Sequence, residues 1–178
     1  MGSKELARVA VCDLNVEGAK KTAAAINAAG GEAVPFEVDI RDEAAVEGMV
    51  NQVGEILGRP SILINFAGIG KTLPLLETDL ATWNDTIAVN LTGSFLVAKA
   101  VLPGMVEAGF GRIILIGSIN SKKALKRRNA YAASKAGVAN LTQLIAVEFA
   151  AHSITANCLI PTVLAIDSIV NSRFWRFV

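Results

Sequence analysis

Ser118, Tyr131 and Lys135 are the residues of this sequence whose types and spacing suit proton chemistry on a substrate oxygen. Tyr131 and Lys135 stand four apart, so a helix through Tyr131-Ala132-Ala133-Ser134-Lys135 sets both on one face, one turn from each other. A tyrosyl hydroxyl, which ordinarily titrates near a pKa of ~10, is a poor acid or base at neutral pH. A neighbouring ammonium stabilises the phenolate and makes the hydroxyl usable. Ser118, 13 residues before Tyr131, is placed to hydrogen-bond the same substrate oxygen. Tyr-x-x-x-Lys alone recurs in many unrelated helices, so its weight comes from the serine and from the elements around it.

Those elements alternate. Arg8 to Asp13 reads as a buried strand, and Asn15 caps a helix running through Ala29, with Gly30-Gly31 as its stop. Ala33 to Val38 is a second strand. Asp42 caps the next helix, whose Val46, Met49, Val50, Val53, Ile56 and Leu57 follow helical spacing until Gly58 and Pro60 end it. Ile62 to Ile64 makes a third strand, Thr78 opens another helical stretch, and a long helix is predicted from about Trp83 to Leu102. Ile113 to Ile116, a helix over Tyr131 to Ala150, and a strand over Ile154 to Leu159 complete the series. Such alternation predicts right-handed βαβ units and an α/β, doubly wound parallel sheet in three layers, one domain over residues 1–178. In such sheets ligands gather at the carboxyl ends of the strands, where Asp13, Asp39, Asn65 to Gly68 and Ser118 all fall.

The 178 residues carry 17 Lys+Arg against 16 Asp+Glu, a balance that offers no global field for nucleic acid or a membrane surface. A 52% hydrophobic content excludes whole-chain disorder. No unbroken apolar run approaches the ~20 residues of a membrane span, and Met1 to Glu5 lacks the apolar core of a signal peptide. Two cysteines, Cys12 and Cys158 in apolar runs, argue against a disulfide framework and for a reducing, cytoplasmic compartment.

Taken together, the spaced motifs resemble the classical short-chain dehydrogenase/reductase family over roughly residues 6 to 162. Asn65-Phe66-Ala67-Gly68 is similar to the family's Asn-Asn-Ala-Gly element, with Phe66 at the second Asn. Asp79 to Met105, with Trp83, Val89-Asn90-Leu91-Thr92-Gly93 and Leu102-Pro103-Gly104-Met105, follows its long helix, and Val138 to Phe149 resembles the rest of its active-site helix. The resemblance implies a Rossmann-like fold and a catalytic set of Asn90, Ser118, Tyr131 and Lys135. It implies that Tyr131 exchanges a proton with the substrate oxygen while hydride moves to or from a nicotinamide, and that Ser118 holds that oxygen. Lys135 would also contact the nicotinamide ribose, and Asn90 would support a water linking Lys135 to solvent. Asp13 would bind the adenosine ribose hydroxyls, favouring NAD over NADP because a carboxylate repels a 2′-phosphate. Asp39 and Ile40 would meet the adenine edge, and Asn65, Ala67 and Gly68 would line the cofactor floor. The matching family helices pair across a two-fold axis, which implies a homodimer or homotetramer.

The departures are as plain as the matches. The family's first strand and Thr-Gly-x-x-x-Gly-x-Gly turn, which hold the pyrophosphate, have no counterpart, since only Met1 to Ala7 precede the strand at Arg8. Pro161-Thr162 stands for the family's Pro-Gly, and Ser172 to Val178 resembles nothing in it. The sequence therefore reads as a Rossmann-like domain truncated at both ends. Without the missing central strand, the strands at Val9 and Ile62 are expected either to pair directly or to gape, with NAD binding weakened in either case.

Other readings are less well supported. Gly68-Ile69-Gly70-Lys71-Thr72 evokes a phosphate-binding loop, but Asn65 stands where its glycine belongs and Pro74 interrupts the helix it needs. Lys122, Lys123, Lys126, Arg127 and Arg128 form a basic cluster, either a solvated loop or a selector of anionic substrates at a pocket rim. Ser118 and His152 do not make a hydrolase, because no Gly-x-Ser-x-Gly surrounds the serine. A single His without clustered ligands gives no metal site. Two function classes remain: an NAD-dependent oxidoreductase of a secondary alcohol or carbonyl, and an impaired relative with a structural or oligomerising role.

Overall fold

In the computed structural model the described residues are 7–161 and, for the backbone, 175–177. Met1 to Leu6, residues 162–174 and Val178 lie outside them, and with them Thr162 and most of the segment from Ser172 that matched no motif. Chain order is β1 (Arg8–Asp13), α1 (Val16–Ala28), β2 (Glu32–Glu37), α2 (Glu43–Leu57), β3 (Ile62–Asn65), α3 (Leu80–Ile87), α4 (Gly93–Ala108), β4 (Gly111–Ile116), α5 (Asn129–Glu148), β5 (Ile154–Leu159) and β6 (Trp175–Phe177).

The helix starts are built by side chains that answer orphan backbone donors. Asn15 accepts from the Gly18 amide at 3.2 Å, and Asp42 from the Ala45 amide at 3.0 Å. Asp79, rather than Thr78, caps α3 by accepting from Thr82. Gly58 ends α2 in a backbone conformation (φ +86°) that residues with a Cβ rarely adopt. The single long helix expected from Trp83 is a helical run from Leu80 to Ala108, divided by a π-helical turn at Ala88–Thr92. By length and composition this run could cross a membrane. Here Val97, Val101, Leu102 and Met105 pack it into the core instead.

The sheet order is β2-β1-β6-β3-β4-β5. Parallel pairing joins β1 to β2, β3 to β4 and β4 to β5. The sequence led to the expectation that β1 and β3 would pair directly or gape, and the structure corrects both alternatives. The backbone of β6 fills the gap between them, running antiparallel, with Arg176 opposite both Val11 and Ile64. An added strand satisfies the inward-facing backbone groups of both neighbours, which direct pairing would also do only by moving one half of the sheet by a strand spacing of ~4.8 Å.

Among the described residues, helices cover the two faces unequally. Val9 and Val11 meet Ala19, Ala23 and Ile26 of α1 on one side. On the other side Ala10, Cys12, Leu63, Ile113 and Leu115 pack against residues of α2, α4 and α5, including Val53, Val97 and Val138. Each fully buried Leu or Ile there contributes about 1.5–3 kcal/mol. The result is a rigid sheet whose carboxyl edge presents the loops after β1, β2, β3 and β4.

Candidate active site

At the carboxyl end of β3, Asn65 turns inward and is 2% exposed. Its Oδ1 accepts from the Ala67 amide at 2.9 Å, and its Nδ2 donates to Ser94 Oγ at 2.9 Å. Ser94 Oγ donates in turn to the Asn90 carbonyl at 2.6 Å. Asn90, fully buried in the π-helical turn, accepts from the Ile69 amide at 2.8 Å and donates to the Ile69 carbonyl and to Ser134 Oγ, each at 2.9 Å. Ser134 Oγ donates to the Tyr131 carbonyl at 2.8 Å. A continuous polar chain thus runs through the apolar interior from the end of β3 to the backbone of Tyr131. Ser94 and Ser134 escaped the sequence reading, because single serines in helical runs carry no signal of whom they will face.

Tyr131 lies in the first turn of α5. A Cβ added at Gly70 would stand 2.7 Å from Tyr131 Cδ2, so the loop after β3 can approach the ring only at a glycine. Asn129, two residues before Tyr131, ties the helix start to that loop by donating to the Leu73 carbonyl and to Thr78 Oγ1. Lys135 is 4% exposed; its Nζ lies 5.8 Å from the centre of the Tyr131 ring and donates to the Ile116 carbonyl at 2.7 Å. Burial pushes its pKa down from the ordinary lysine value to about 8, so the ammonium is held at a desolvation cost that a bound acceptor would relieve. Ser118 follows β4 and is nearly buried; its Oγ accepts from the Asn120 amide at 3.2 Å, and its turn packs on α5. Asn120 Oδ1 is buried with no hydrogen-bond partner among the described residues.

A cleft of about 120 Å³ opens beside this group, lined by Leu14, Asp39, Ile40, Ala67 and Gly68 among others. Asp13 and Asn65 are not among its lining residues; Asp13 is 1% exposed and accepts from the Asn15 amide at 2.8 Å. Arg41 also lines the cleft, pairing with Asp39 at 2.6 Å and Asp85 at 2.9 Å. These two carboxylates hold the guanidinium pKa above its ordinary value, through Asp39 first. Phe66, at the position of the family's second Asn, is 38% exposed.

The residues present fit parts of a nicotinamide dinucleotide. Lys135 carries three donors and uses one on the described residues, which leaves a buried cation suited to ribose hydroxyls. Asp39, Ile40 and Gly68 line the cleft, where a carboxylate and apolar walls could meet part of an adenosine end. No glycine-rich turn for the pyrophosphate occurs among the described residues, and the backbone of β6 lies between β1 and β3. Among the described residues no cluster of His, Cys, Asp and Glu could hold a metal ion.

Comparison with known proteins gives this geometry a setting. The family model described as short chain dehydrogenase matches residues 3–175. D-threitol dehydrogenase of Mycolicibacterium smegmatis is 38% identical over 158 residues, covering 89% of this chain and 61% of that protein. The (3R)-3-hydroxyacyl-CoA dehydrogenase of Canis lupus familiaris is 38% identical over 168 residues, covering 89% of this chain and 65% of that protein. The crystal structure of a gluconate 5-dehydrogenase from Burkholderia cenocepacia, in complex with NADP and tartrate, superposes with a TM-score of 0.83 at 31% identity, covering 92% of this chain and 65% of that one. The chain thus spans 61–65% of the length of these relatives. With a family model matched along nearly its whole length and an α/β sheet that superposes on solved members, this chain belongs to the short-chain dehydrogenase family.

Proposed function

We propose that the chain acts as an oxidoreductase on a secondary alcohol or the corresponding carbonyl, with Tyr131 as acid/base and NAD preferred over NADP. One observation carries this reading: a buried ammonium, Lys135, sits beside the Tyr131 ring while a buried hydrogen-bond chain fixes the Tyr131 backbone. A bound nicotinamide would supply the hydride acceptor or donor.

In the oxidation direction Tyr131 takes the alcohol proton at its phenolate oxygen, and in reduction it returns one to the carbonyl oxygen. Ser118 orients that oxygen from the turn after β4. Lys135 stabilises the phenolate through space, and its remaining donors suit the ribose hydroxyls. Asn90 fixes the Ile69 backbone opposite and joins the active-site helix through Ser134. Asp39, Ile40, Ala67 and Gly68 would hold the adenosine end, and Asn65 would brace the floor from beneath. Asp13 supports the NAD preference through space, as a buried carboxylate at the end of β1 whose charge disfavours a 2′-phosphate in the neighbouring cleft. Exposed Phe95 on α4 and Leu144 and Val147 on α5 support self-association as a homodimer or homotetramer. The free thiols Cys12 and Cys158 suit a reducing, cytoplasmic setting.

Fluorescence titration with NADH and NADPH, followed by absorbance assays with secondary alcohols, tests this function. Tighter NADH binding is expected, and Tyr131→Phe is expected to lower turnover by about 100-fold or more. Equal turnover in Tyr131→Phe would remove Tyr131 as the acid/base, and comparable or tighter NADPH binding would remove the cofactor assignment.

A further inference from the structure

The basic cluster between Lys122 and Arg128 is not absorbed by the chemistry above. Five of the chain's 17 cationic side chains fall in these seven positions. Lys122, Lys123, Lys126 and Arg127 are exposed and Arg128 is half-buried; none of the five makes an ion pair among the described residues.

Arg128 differs from its neighbours in being placed. Its guanidinium carbon lies 5.7 Å from the centre of the Tyr131 ring, within the range of a cation–π contact. The backbone holds it there from both sides. The Arg127 carbonyl accepts from the Leu73 amide at 3.1 Å, Leu73 and Arg128 form a parallel bridge, and the Arg128 carbonyl accepts from the Ala132 amide at 2.7 Å. Arg127 adopts φ +65°, a left-handed conformation that costs a residue with a Cβ about 1–3 kcal/mol and persists only where the surroundings impose it. The guanidinium has five N–H donors and makes no hydrogen bond among the described residues.

We propose that Arg128 is the specificity-determining residue of this site and that the substrate carries a carboxylate, as a small hydroxy or oxo acid. This rests on the alcohol/carbonyl reading of the Tyr131 site. A substrate oxygen at the Tyr131 hydroxyl leaves the guanidinium fork within reach of an anionic group a few bonds from the reacting carbon. A planar fork pairs with a planar carboxylate through two parallel hydrogen bonds of about 2.7–2.9 Å. An anion at the far end of a long substrate would lie out of reach of that fork. The exposed lysines add a field that raises the local concentration of anions over a Debye length of ~8 Å, without contact.

The test uses the 178-residue chain with 3-hydroxybutanoate and its neutral methyl ester. Two readouts are taken: the ratio of kcat/KM for acid over ester, and saturation-transfer NMR of 3-hydroxybutanoate. Arg128→Gln is expected to lower the ratio about tenfold or more, the loss of a charge-assisted pair. Arg128→Lys should recover part of it, and the remote Lys20→Ala should leave it unchanged. If neither alcohol is oxidised but the acid binds and Arg128→Gln abolishes that binding, the dehydrogenase reading falls and the carboxylate site stands. A ratio or an NMR signal that Arg128→Gln leaves unchanged overturns the proposal, as does failure of the chain to bind or oxidise the acid at all.

Discussion

Replacing Asn90 with alanine tests whether the buried polar chain organises the site. The side chain is fully buried and makes three hydrogen bonds, two with the Ile69 backbone and one with Ser134 Oγ. At about 1 kcal/mol net for each bond, the loss comes to about 3 kcal/mol. It exceeds that if the Ile69 amide and carbonyl find no water, since an orphaned buried group costs up to about 3 kcal/mol by itself. For a chain of this size a loss of ~3 kcal/mol lowers the melting temperature by roughly 6–12 °C. Urea unfolding of Asn90→Ala should therefore show a clearly lower midpoint, and the Ile69 amide should exchange faster with deuterium. The control is Asn51→Ala on the exposed face of α2, expected to lie within about 0.5 kcal/mol of the parent. A midpoint for Asn90→Ala equal to that of Asn51→Ala, with Ile69 exchange unaltered, would refute the reasoning.

Two further outcomes follow from the described geometry. Burial lowers the Lys135 pKa to about 8, while the unfolded chain keeps the ordinary value of 10.5, so between these pH values the unfolded state binds more protons and stability rises with pH; Lys135→Met should flatten that rise in melting curves taken across the window, and an identical pH dependence would exclude the burial argument. Arg176→Pro removes a backbone donor from the middle of β6, between β1 and β3, and should cost at least about 1 kcal/mol and speed amide exchange in the neighbouring strand that faces it; unchanged exchange in both β1 and β3 would show that β6 does not hold the sheet together.

Much of the scaffold is written locally in the sequence. Asn15, Asp42 and Asp79 cap helices because a short side-chain oxygen reaches the free amides of the next turn, an interaction that needs no distant partner. The apolar runs at Val9 and Ile113 are strands because their residues must be buried, and the four-residue spacing of Tyr131 and Lys135 ensures a shared helix face. The π-helical turn at Ala88–Thr92 was not legible, since no residue there breaks the α pattern. Nor was the engagement of Ser94 and Ser134, or of Arg41 with Asp39 and Asp85, because each partner comes from another element.

β6 is the clearest case of a structure that only the tertiary context decides. Trp175-Arg176-Phe177 is too short to declare itself a strand, and its period of two is silent about its partners or their direction. Two neighbouring strands with unpaired backbone groups select it, because hydrogen bonds on both sides at once satisfy donors and acceptors that burial would otherwise leave orphaned. Arg128 follows the same logic. Its charge is plain in the sequence, but its position over Tyr131 depends on Leu73, 55 residues earlier, pairing with the strained backbone beside it. Local chemistry determined which residues could act; the closing of distant chain segments upon one another decided which of them meet.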